Sequence, residues 1–243
     1  MKRQPLKSSN NYWAILPAAG IGSRMRASIP KQYLSLNGKT LLEHSLQPLL
    51  DTPWITTVIV AVAEDDPYWA ELSISKHPKI ETVIGGSERV DSVSNALDAI
   101  HDRYQDDDFV LVHDAARPCL KRDDLEKLYT AMQTAEAGVV LADKVSDTVK
   151  RDKGDNSVLK TVPRAGLWRA LTPQAFRCKL LAEALKKSRE DTNYLVTDES
   201  SAVEYLGLSP LLIQGCSNNI KVTTEGDLQL ASLILQVQNN NNK

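Results

Sequence analysis

The chain has 243 residues, of which 42% are hydrophobic, and its formal net charge is −2. This length and apolar content suffice for one large α/β domain, so we expect a single domain over residues 1–243. The near balance of acidic and basic residues gives no general attraction to nucleic acid or to an anionic membrane, and no run of about 18 apolar residues predicts a membrane span.

The cysteines indicate the cellular compartment, and the composition of the two ends of the chain indicates how ordered those ends are. Cys119, Cys178 and Cys216 are odd in number and widely spaced, which fits neither a disulfide framework nor a metal cluster and favours a reducing cytoplasm. The basic start leads into polar residues, so we expect no signal peptide. The segments through about Asn11 and from about Gln236 are polar and Asn-rich, and we expect them to fray.

Short apolar segments recur along the chain and predict buried strands. They are Tyr12 to Leu16, Ile55 to Val62, Glu81 to Ile84, Phe109 to Val112 and Gly138 to Ala142, with another ending near Gly215. Between them, apolar residues at three- and four-residue spacing predict helices, as in 41–49 and 90–100. This alternation predicts a Rossmann-like α/β fold, with a mostly parallel sheet covered by helices on both faces. Ligands of such sheets bind beyond the carboxyl ends of the strands.

The pattern changes at about residues 143–164, where it predicts a β-hairpin. Two charged, weakly alternating segments flank a polar turn at 154–156. Because an isolated two-stranded ribbon is marginally stable, we expect the hairpin to protrude as an arm that a second subunit supports.

A glycine-rich loop follows the first predicted strand. It reads Pro17-Ala18-Ala19-Gly20-Ile21-Gly22-Ser23-Arg24-Met25, and Pro30-Lys31-Gln32-Tyr33 comes shortly after it. Small residues let backbone N–H groups approach an anion, and the long cationic side chains of Arg24 and Lys31 add charge, as in a phosphate-binding loop. The loop lacks the Gly-Lys-Ser/Thr ending of a Walker loop and the third glycine of a dinucleotide fingerprint, which argues against NAD. A strand-to-helix turn without a ligand is the alternative.

These two strings resemble the sugar-nucleotidyltransferase superfamily, and further strings resemble one of its branches. They are Gly85-Gly86-Ser87-Glu88-Arg89-Val90-Asp91-Ser92-Val93, Val112-His113-Asp114-Ala115-Ala116-Arg117-Pro118, Leu171-Thr172-Pro173-Gln174, Thr197-Asp198-Glu199-Ser200-Ser201-Ala202 and Asn219-Ile220-Lys221-Val222-Thr223. In this order they are similar to the 2-C-methyl-D-erythritol 4-phosphate cytidylyltransferases of the non-mevalonate isoprenoid pathway. The resemblance covers roughly residues 12–231.

The resemblance implies an enzyme that transfers CMP from CTP to 2-C-methyl-D-erythritol 4-phosphate, a polyol phosphate, and releases pyrophosphate. Such a transfer needs no covalent enzyme intermediate, so positioning and charge neutralisation are expected to drive it. The family also implies a Mg²⁺ cofactor and a homodimer with shared active sites. Many superfamily members have a second metal-binding carboxylate near the position of Ser217-Asn218-Asn219, and its absence here favours a single Mg²⁺ held chiefly by the triphosphate.

The resemblance also implies roles for individual residues. The family's catalytic cations correspond to Arg24, Lys31 and Lys221. Its nucleotide-binding positions correspond to Ala18, Ala19, Gly20, Gly22, Gly86, Ser92 and Asp114, with Ser92 reading cytosine and Asp114 also binding the metal. Its substrate-binding positions correspond to Arg117, Thr148, Arg164 and Thr172, and the family pattern implies that Thr148 and Arg164 reach into the partner's site.

Residue chemistry leaves other roles open at several of these positions. Ser92 suits the start of a helix, and Asp114 suits a turn or a helix cap. Thr148 and Arg164 suit a solvent-facing hairpin. His113, beside Asp114, is expected to be a hydrogen-bonded structural residue.

Two other functions stay open on the sequence alone. A ribitol 5-phosphate cytidylyltransferase would share the chemistry, but its first loop usually reads Ala-Gly-Gly where this chain has Ala-Ala-Gly at 18–20. The Asp-Ser-Val string at 91–93 also matches the methylerythritol branch. A non-catalytic nucleotide-binding regulator would be expected to lack a charged site residue, whereas this chain has Arg24, Lys31, Asp114, Arg117 and Lys221.

Overall fold

The structure, a computed structural model, describes residues 10–20 and 29–241. Its strands are β1 (Tyr12–Pro17), β2 (Ser35–Leu36), β3 (Lys39–Thr40), β4 (Thr57–Val62), β5 (Ile80–Ile84), β6 (Phe109–Val112), β7 (Val139–Lys144), β8 (Val149–Asp152), β9 (Val158–Val162), β10 (Trp168–Arg177) and β11 (Leu211–Gln214). Its α-helices are α1 (Leu41–Leu50), α2 (Arg89–Asp98), α3 (Arg122–Met132), α4 (Cys178–Glu190), α5 (Glu199–Tyr205) and α6 (Glu225–Asn241). Short 3₁₀ turns cover Lys31–Tyr33, Trp69–Glu71 and Ser73–Lys76.

Seven strands form one sheet in the spatial order β11-β7-β10-β6-β1-β4-β5. Strands β6, β1, β4 and β5 are parallel, as are β11 and β7, whereas β10 runs antiparallel to both of its neighbours. In this register Ile15 of β1 lies opposite Ile59 of β4 and Val112 of β6. The mostly parallel sheet is therefore confirmed, and the strands predicted from the apolar segments are present in it.

Strand β1 shows how the two faces of the sheet are covered. Tyr12, Ala14 and Leu16 belong to a buried cluster with residues of α1 and α3, whereas Trp13 and Ile15 belong to a cluster with α2, α4 and α5. Successive side chains of a strand point to opposite faces, so a strand covered on both sides must be apolar throughout. The predicted helices on both faces are confirmed.

Helix α1 forms where the local sequence favours it. The Thr40 hydroxyl accepts a hydrogen bond from the Glu43 N–H at 3.1 Å, and the Glu43 carboxylate accepts one from the Thr40 N–H at 2.7 Å. This reciprocal cap satisfies N–H groups that the first turn leaves without partners. Leu42, Leu46 and Leu49 then fall on one buried face.

A β-hairpin is present in the predicted region. Strands β8 and β9 pair antiparallel and form a two-stranded sheet of their own. Val158 and Leu159 of β9 are 57% and 53% exposed. The role of the hairpin as a dimerisation arm stays a prediction.

The expectation that the chain frays from about Gln236 is wrong, because helix α6 continues to Asn241. The Gln238 side chain donates a hydrogen bond to the Cys119 carbonyl at 3.2 Å, which connects this end to the rest of the chain. The expectation that the other end frays concerns mainly residues 1–9, which lie outside the described residues, whereas the Asn11 N–H donates to the Asp108 carboxylate at 2.8 Å. In the described ranges no helix combines the length and apolar content needed to cross a bilayer.

Gly138 offers a test of packing in the sheet. Its φ is +101°, and an added Cβ would lie 2.1 Å from the ring of buried Phe176. Gly154, in the hairpin turn, has a φ of +103° with open space at the Cβ position. Both alanine substitutions incur backbone strain, but only Gly138→Ala also displaces a core ring, so we expect it to lose about 2 kcal/mol more unfolding free energy. Urea unfolding of the two variants measures the difference, and equal losses would contradict the tight packing.

Candidate active site

A cavity of about 250 Å³ opens at the carboxyl ends of β1, β5 and β6. Among the residues that line it are the predicted site residues Ala18, Ala19, Gly20, Lys31, Gly86, Ser92, Asp114 and Lys221. Segments far apart in sequence meet here because parallel strands end at one edge of the sheet. A larger groove of about 740 Å³ between α2 and α4 contains none of these residues.

The turn between β5 and α2 forms one wall of the cavity. A Cβ on Gly85 would lie 2.6 Å from the Ala19 Cβ, so the close approach of the two loops needs glycine. The Ser92 hydroxyl donates to the Glu88 carbonyl at 3.2 Å and accepts from the Gly86 N–H at 3.1 Å. Glu88, not Ser92, caps α2, and the Ser92 hydroxyl instead connects the first turn of the helix to the loop before it. This hydroxyl keeps one lone pair that can accept from a ligand.

Asp114 is the buried charge of the cavity, with 6% of its surface exposed. Its Oδ1 accepts from the Arg89 Nε at 2.8 Å, and its Oδ2 lies 2.8 Å from the Lys221 Nζ and 3.6 Å from the Arg117 Nε. Burial alone would raise the pKa of this carboxyl, but the cations Arg89, Lys221 and Arg117 outweigh it and hold the pKa well below its usual range. Asp114 is therefore anionic at neutral pH.

Arg89 is a site residue to which the sequence pattern gives no definite role. From the first turn of α2 it contacts Asp114, and its Nη1 and Nη2 donate to the two carboxylate oxygens of Glu199 at 2.6 and 3.0 Å. Glu199, the first residue of α5, is 1% exposed. Burial would lower the pKa of Arg89, but Glu199 and Asp114 raise it above its ordinary value. Both residues lie in the strings that carry the family resemblance, which do not reveal the pairing.

His113 and Thr172 support Asp114 from behind the cavity wall. The Thr172 hydroxyl accepts from the Asp114 N–H at 3.0 Å and lies 2.9 Å from the His113 Nδ1, while the His113 Nε2 lies 3.1 Å from the Arg117 carbonyl. A carbonyl only accepts, so Nε2 carries the proton and Nδ1 accepts from Thr172. Burial lowers the pKa of His113 to about 4, which keeps the ring neutral. The ring therefore orients the Thr172 hydroxyl.

Arg117 lies beside the cavity and is not among the residues that line it in the described part of the chain. Its Nη1 donates to the Asn219 carbonyl at 2.8 Å and its Nη2 to the Ala170 carbonyl at 3.3 Å. Its Nε has no hydrogen-bond acceptor within the described ranges. Arg117 therefore connects its own loop to the segments that contain Asn219 and Ala170. Its contact with a polyol phosphate stays a prediction.

The Pro-Lys-Gln string is connected to the glycine-rich loop. The buried Gln32 side chain donates to the Ala18 carbonyl at 2.7 Å, and the Lys31 Nζ lies 3.5 Å from the Val222 carbonyl. These contacts place Lys31 at the cavity. Gly22 and Arg24 lie outside the described residues, so their roles stay predictions.

Thr148 and Arg164 are exposed at the base of the hairpin, where Val149 pairs with Val162. Arg164 donates to the Ser146 carbonyl. Neither Thr148 nor Arg164 lines the cavity of its own subunit. Their contribution to a partner's site stays a prediction.

The donor set of the cavity limits the kind of metal site that it can form. Within residues 10–20 and 29–241, no group of three or more His, Cys, Asp or Glu side chains is arranged to hold a metal ion. Asn219 donates its side-chain N–H to the Thr172 carbonyl at 2.7 Å. Asp114 can supply one anionic oxygen ligand, which fits Mg²⁺ when phosphate oxygens complete the coordination.

The chain matches one family along most of its length. The family model described as 2-C-methyl-D-erythritol 4-phosphate cytidylyltransferase matches residues 12–237. The protein of that name from Vibrio vulnificus (strain YJ016) is 48% identical over 229 residues, covering 94% of this chain and 96% of the relative. Its namesake from Pseudomonas putida (strain GB-1) is 48% identical over 219 residues, covering 90% and 93%.

Solved structures give the same result. The crystal structure of the Francisella tularensis 2-C-methyl-D-erythritol 4-phosphate cytidylyltransferase superposes with a TM-score of 0.82 at 38% identity, covering 93% of this chain and 100% of that chain. The Thermus thermophilus structure of the same name superposes with a TM-score of 0.76 at 29% identity, covering 93% and 99%. With a family match that spans the cavity residues from Ala18 to Lys221, the chain belongs to the 2-C-methyl-D-erythritol 4-phosphate cytidylyltransferase family.

Proposed function

We propose that this protein transfers the CMP group of CTP to the phosphate of 2-C-methyl-D-erythritol 4-phosphate, giving 4-diphosphocytidyl-2-C-methyl-D-erythritol and pyrophosphate. The observation that carries the proposal is the cavity at the strand ends, where Arg89 and Lys221 contact the buried Asp114 carboxylate and Lys31 lines the same wall. Two phosphates repel each other, so a site that joins them needs fixed positive charge.

The acceptor and the catalytic nature of the protein follow from separate observations. The names of the relatives favour methylerythritol phosphate over ribitol 5-phosphate as the acceptor. The presence of Lys31, Asp114 and Lys221 around one cavity favours an enzyme over a non-catalytic regulator.

Cytidine is proposed to bind the wall formed by the two glycine-containing loops. The described part of the wall includes backbone groups of Ala18, Ala19, Gly20 and Gly86 and the side chain of Ser92, and Gly22, which lies outside the described residues, stays a predicted contact. Because the Ser92 hydroxyl donates to the Glu88 carbonyl, it can only accept from the base. Cytosine has an amino donor at the position where uracil has a carbonyl acceptor. Ser92 therefore favours cytosine.

The triphosphate and the attacking phosphate are proposed to meet beside Asp114. Arg24, Lys31 and Lys221 are the proposed catalytic cations, which stabilise the charge on the phosphate oxygens as the acceptor attacks the α-phosphorus and pyrophosphate leaves. The Lys221 side chain is 39% exposed, so its ammonium group can leave Asp114 for a phosphate oxygen. When Mg²⁺ is bound, Asp114 and the triphosphate would hold it, and it supplies further positive charge.

The polyol phosphate is proposed to bind Arg117, Thr148, Arg164 and Thr172. Thr172 is buried behind the cavity wall, so its contact with the substrate stays a prediction. Because its hydroxyl donates to His113, that contact would be one in which Thr172 accepts a hydrogen bond. The planar guanidinium groups of Arg117 and Arg164 suit the phosphate oxygens.

We further propose a homodimer in which each hairpin enters the partner's site. Thr148 and Arg164 lie outside the cavity of their own subunit, as this arrangement requires. The exposed Val158 and Leu159 give the hairpin an apolar surface for the contact. A two-stranded ribbon gains stability when it packs on another surface.

Lys221→Ala tests the cationic site. We expect kcat to fall about 100-fold or more because a cation beside the developing charge is lost. The unfolding free energy should fall by only about 1 kcal/mol, since Lys221 is the most exposed of the three cations and both Arg89 and Arg117 still compensate the buried Asp114 charge. The assay is pyrophosphate release from CTP and methylerythritol phosphate. Lys127→Ala is the matched control, because Lys127 pairs with buried Asp124 at 3.3 Å outside the cavity. Equal turnover of the two variants would exclude Lys221 from catalysis.

A mixed dimer tests the shared site. When Lys31→Ala and Arg164→Ala subunits pair, one shared site carries both substitutions and the other carries neither. Sites confined to one subunit would each carry one substitution. We therefore expect up to about half of the wild-type pyrophosphate release per dimer, from two variants that are inactive as homodimers. Co-expression with different tags yields the doubly tagged dimer. If the purified doubly tagged dimer released pyrophosphate no faster than the two inactive homodimers, the hairpin would not enter the partner's site.

A further inference from the structure

We propose that Glu199, acting through Arg89, is a positioning residue that fixes Asp114 for the transfer reaction. The proposal rests on the proposed function and gives a role to the Thr197–Ala202 string, which binds neither substrate in that scheme. Glu199 does not line the cavity, whereas Arg89 and Asp114 do. Arg89 is therefore the contact that connects the Glu199 side chain to the cavity.

The Arg89 guanidinium joins the two carboxylates with all three of its nitrogens. Its Nη1 and Nη2 contact the two oxygens of Glu199 at 2.6 and 3.0 Å, and its Nε contacts the Asp114 Oδ1 at 2.8 Å. A planar fork that is bonded on two edges has a fixed orientation. Glu199 thus determines where the Nε donor of Arg89 lies, and that donor determines the position of the Asp114 Oδ1.

Glu199 is itself fixed by its neighbours in the chain. The Gln174 side chain of β10 donates to the Asp198 carboxylate at 2.8 Å and accepts from the Ser200 N–H at 2.9 Å. The Asp198 carboxylate also accepts from the Ser201 N–H at 2.9 Å, which caps α5. The residues on both sides of Glu199 are therefore bonded to the central sheet, so Glu199 is a rigid anchor for Arg89.

The two oxygens of Asp114 have partners of different mobility. Oδ1 is bonded to Arg89, which Glu199 holds. Oδ2 lies 2.8 Å from Lys221, a cavity residue that is 39% exposed, and at the longer distance of 3.6 Å from Arg117. Oδ2 can therefore exchange Lys221 for a metal, or release Lys221 to a phosphate, while Oδ1 keeps Arg89. The Glu199–Arg89 pair determines which oxygen of Asp114 faces the ligand.

Glu199 also neutralises Arg89. Three cations (Arg89, Arg117 and Lys221) contact two anions (Asp114 and Glu199), which leaves one net positive charge in the cluster. Without the Glu199 charge, Arg89 would be free to turn towards a triphosphate in the cavity. In a variant that lacks the Glu199 charge, we therefore expect Asp114 to be misplaced while the cavity still attracts CTP as strongly as in the wild-type protein.

Glu199→Gln tests the proposal, with Glu204→Gln on the exposed face of the same helix as the control. We expect kcat to fall about 100-fold, as for a misplaced catalytic group. Calorimetry with CTP in EDTA should show an affinity equal to or tighter than that of wild type, because the net charge of the cluster rises. A merely structural role would instead weaken CTP binding together with turnover. Wild-type kcat in Glu199→Gln, or a parallel loss of kcat and CTP affinity, would overturn the proposal.

Two further variants keep the test decisive if Glu199→Gln folds poorly. Arg89→Lys keeps the positive charge, but a lysine cannot bond to both carboxylates. We therefore expect this variant to fold and to have a reduced kcat. A kcat equal to that of the wild-type protein would overturn the proposal. The double variant Arg89→Met with Glu199→Met leaves no unpaired charge at these two positions but also removes the Arg89 donor of Asp114, so melting should recover only in part while kcat stays low. Recovery of kcat to the wild-type value would show a purely structural pair. If the wild-type protein itself released no pyrophosphate, the proposed function would fail instead.

Discussion

The buried carboxylate of Asp114 is the constraint on which the rest of the site depends. Moving a charged group out of water costs roughly several kcal/mol of folding free energy unless nearby charges and hydrogen bonds compensate for it. Asp114 is compensated by Arg89 from α2, by Arg117 from its own loop and by Lys221 from the segment after β11. The need to stabilise this one charge therefore brings three segments together at the cavity. In this region the interactions that stabilise the fold are the same ones that shape the site.

Strand β10 extends this constraint to the second half of the chain. It runs antiparallel between β6 and β7, so its middle residues lie beside the end of β6. Thr172 accepts from the Asp114 N–H, and Gln174 bonds to both sides of Glu199. Strand β10 thus fixes Asp114 in two ways. Thr172 holds its backbone N–H, and Gln174 holds the residues beside Glu199, which positions Arg89 against the Asp114 side chain. A parallel sheet without β10 would offer neither contact at this position.

The sequence predicts the parts of the molecule that depend on local pattern. Continuous apolar segments predict strands such as β1 and β6, and the placement of motifs after strands predicts their convergence at one cavity. Strand β10 has no such pattern, because Thr172, Pro173 and Gln174 interrupt its apolar residues. The pairing of Arg89 with Glu199 spans 110 positions, a separation over which no local periodicity carries information. The end of α6 is missed for a similar reason, since tertiary contacts outweigh its Asn-rich composition.

The choice between arginine and lysine around Asp114 follows the mobility that each position needs. The side chains of Arg117 and Arg89 are 10% and 30% exposed, and their guanidinium groups bond to several fixed acceptors at once. The Lys221 side chain is 39% exposed, and its ammonium is a single point charge on a flexible stem. A guanidinium bonded on two edges must break several hydrogen bonds to move, whereas an ammonium can exchange one oxygen for another at small cost. Arginine therefore stands where the carboxylate is fixed, and lysine stands at the position from which the proposed reaction needs a cation to transfer to an incoming phosphate.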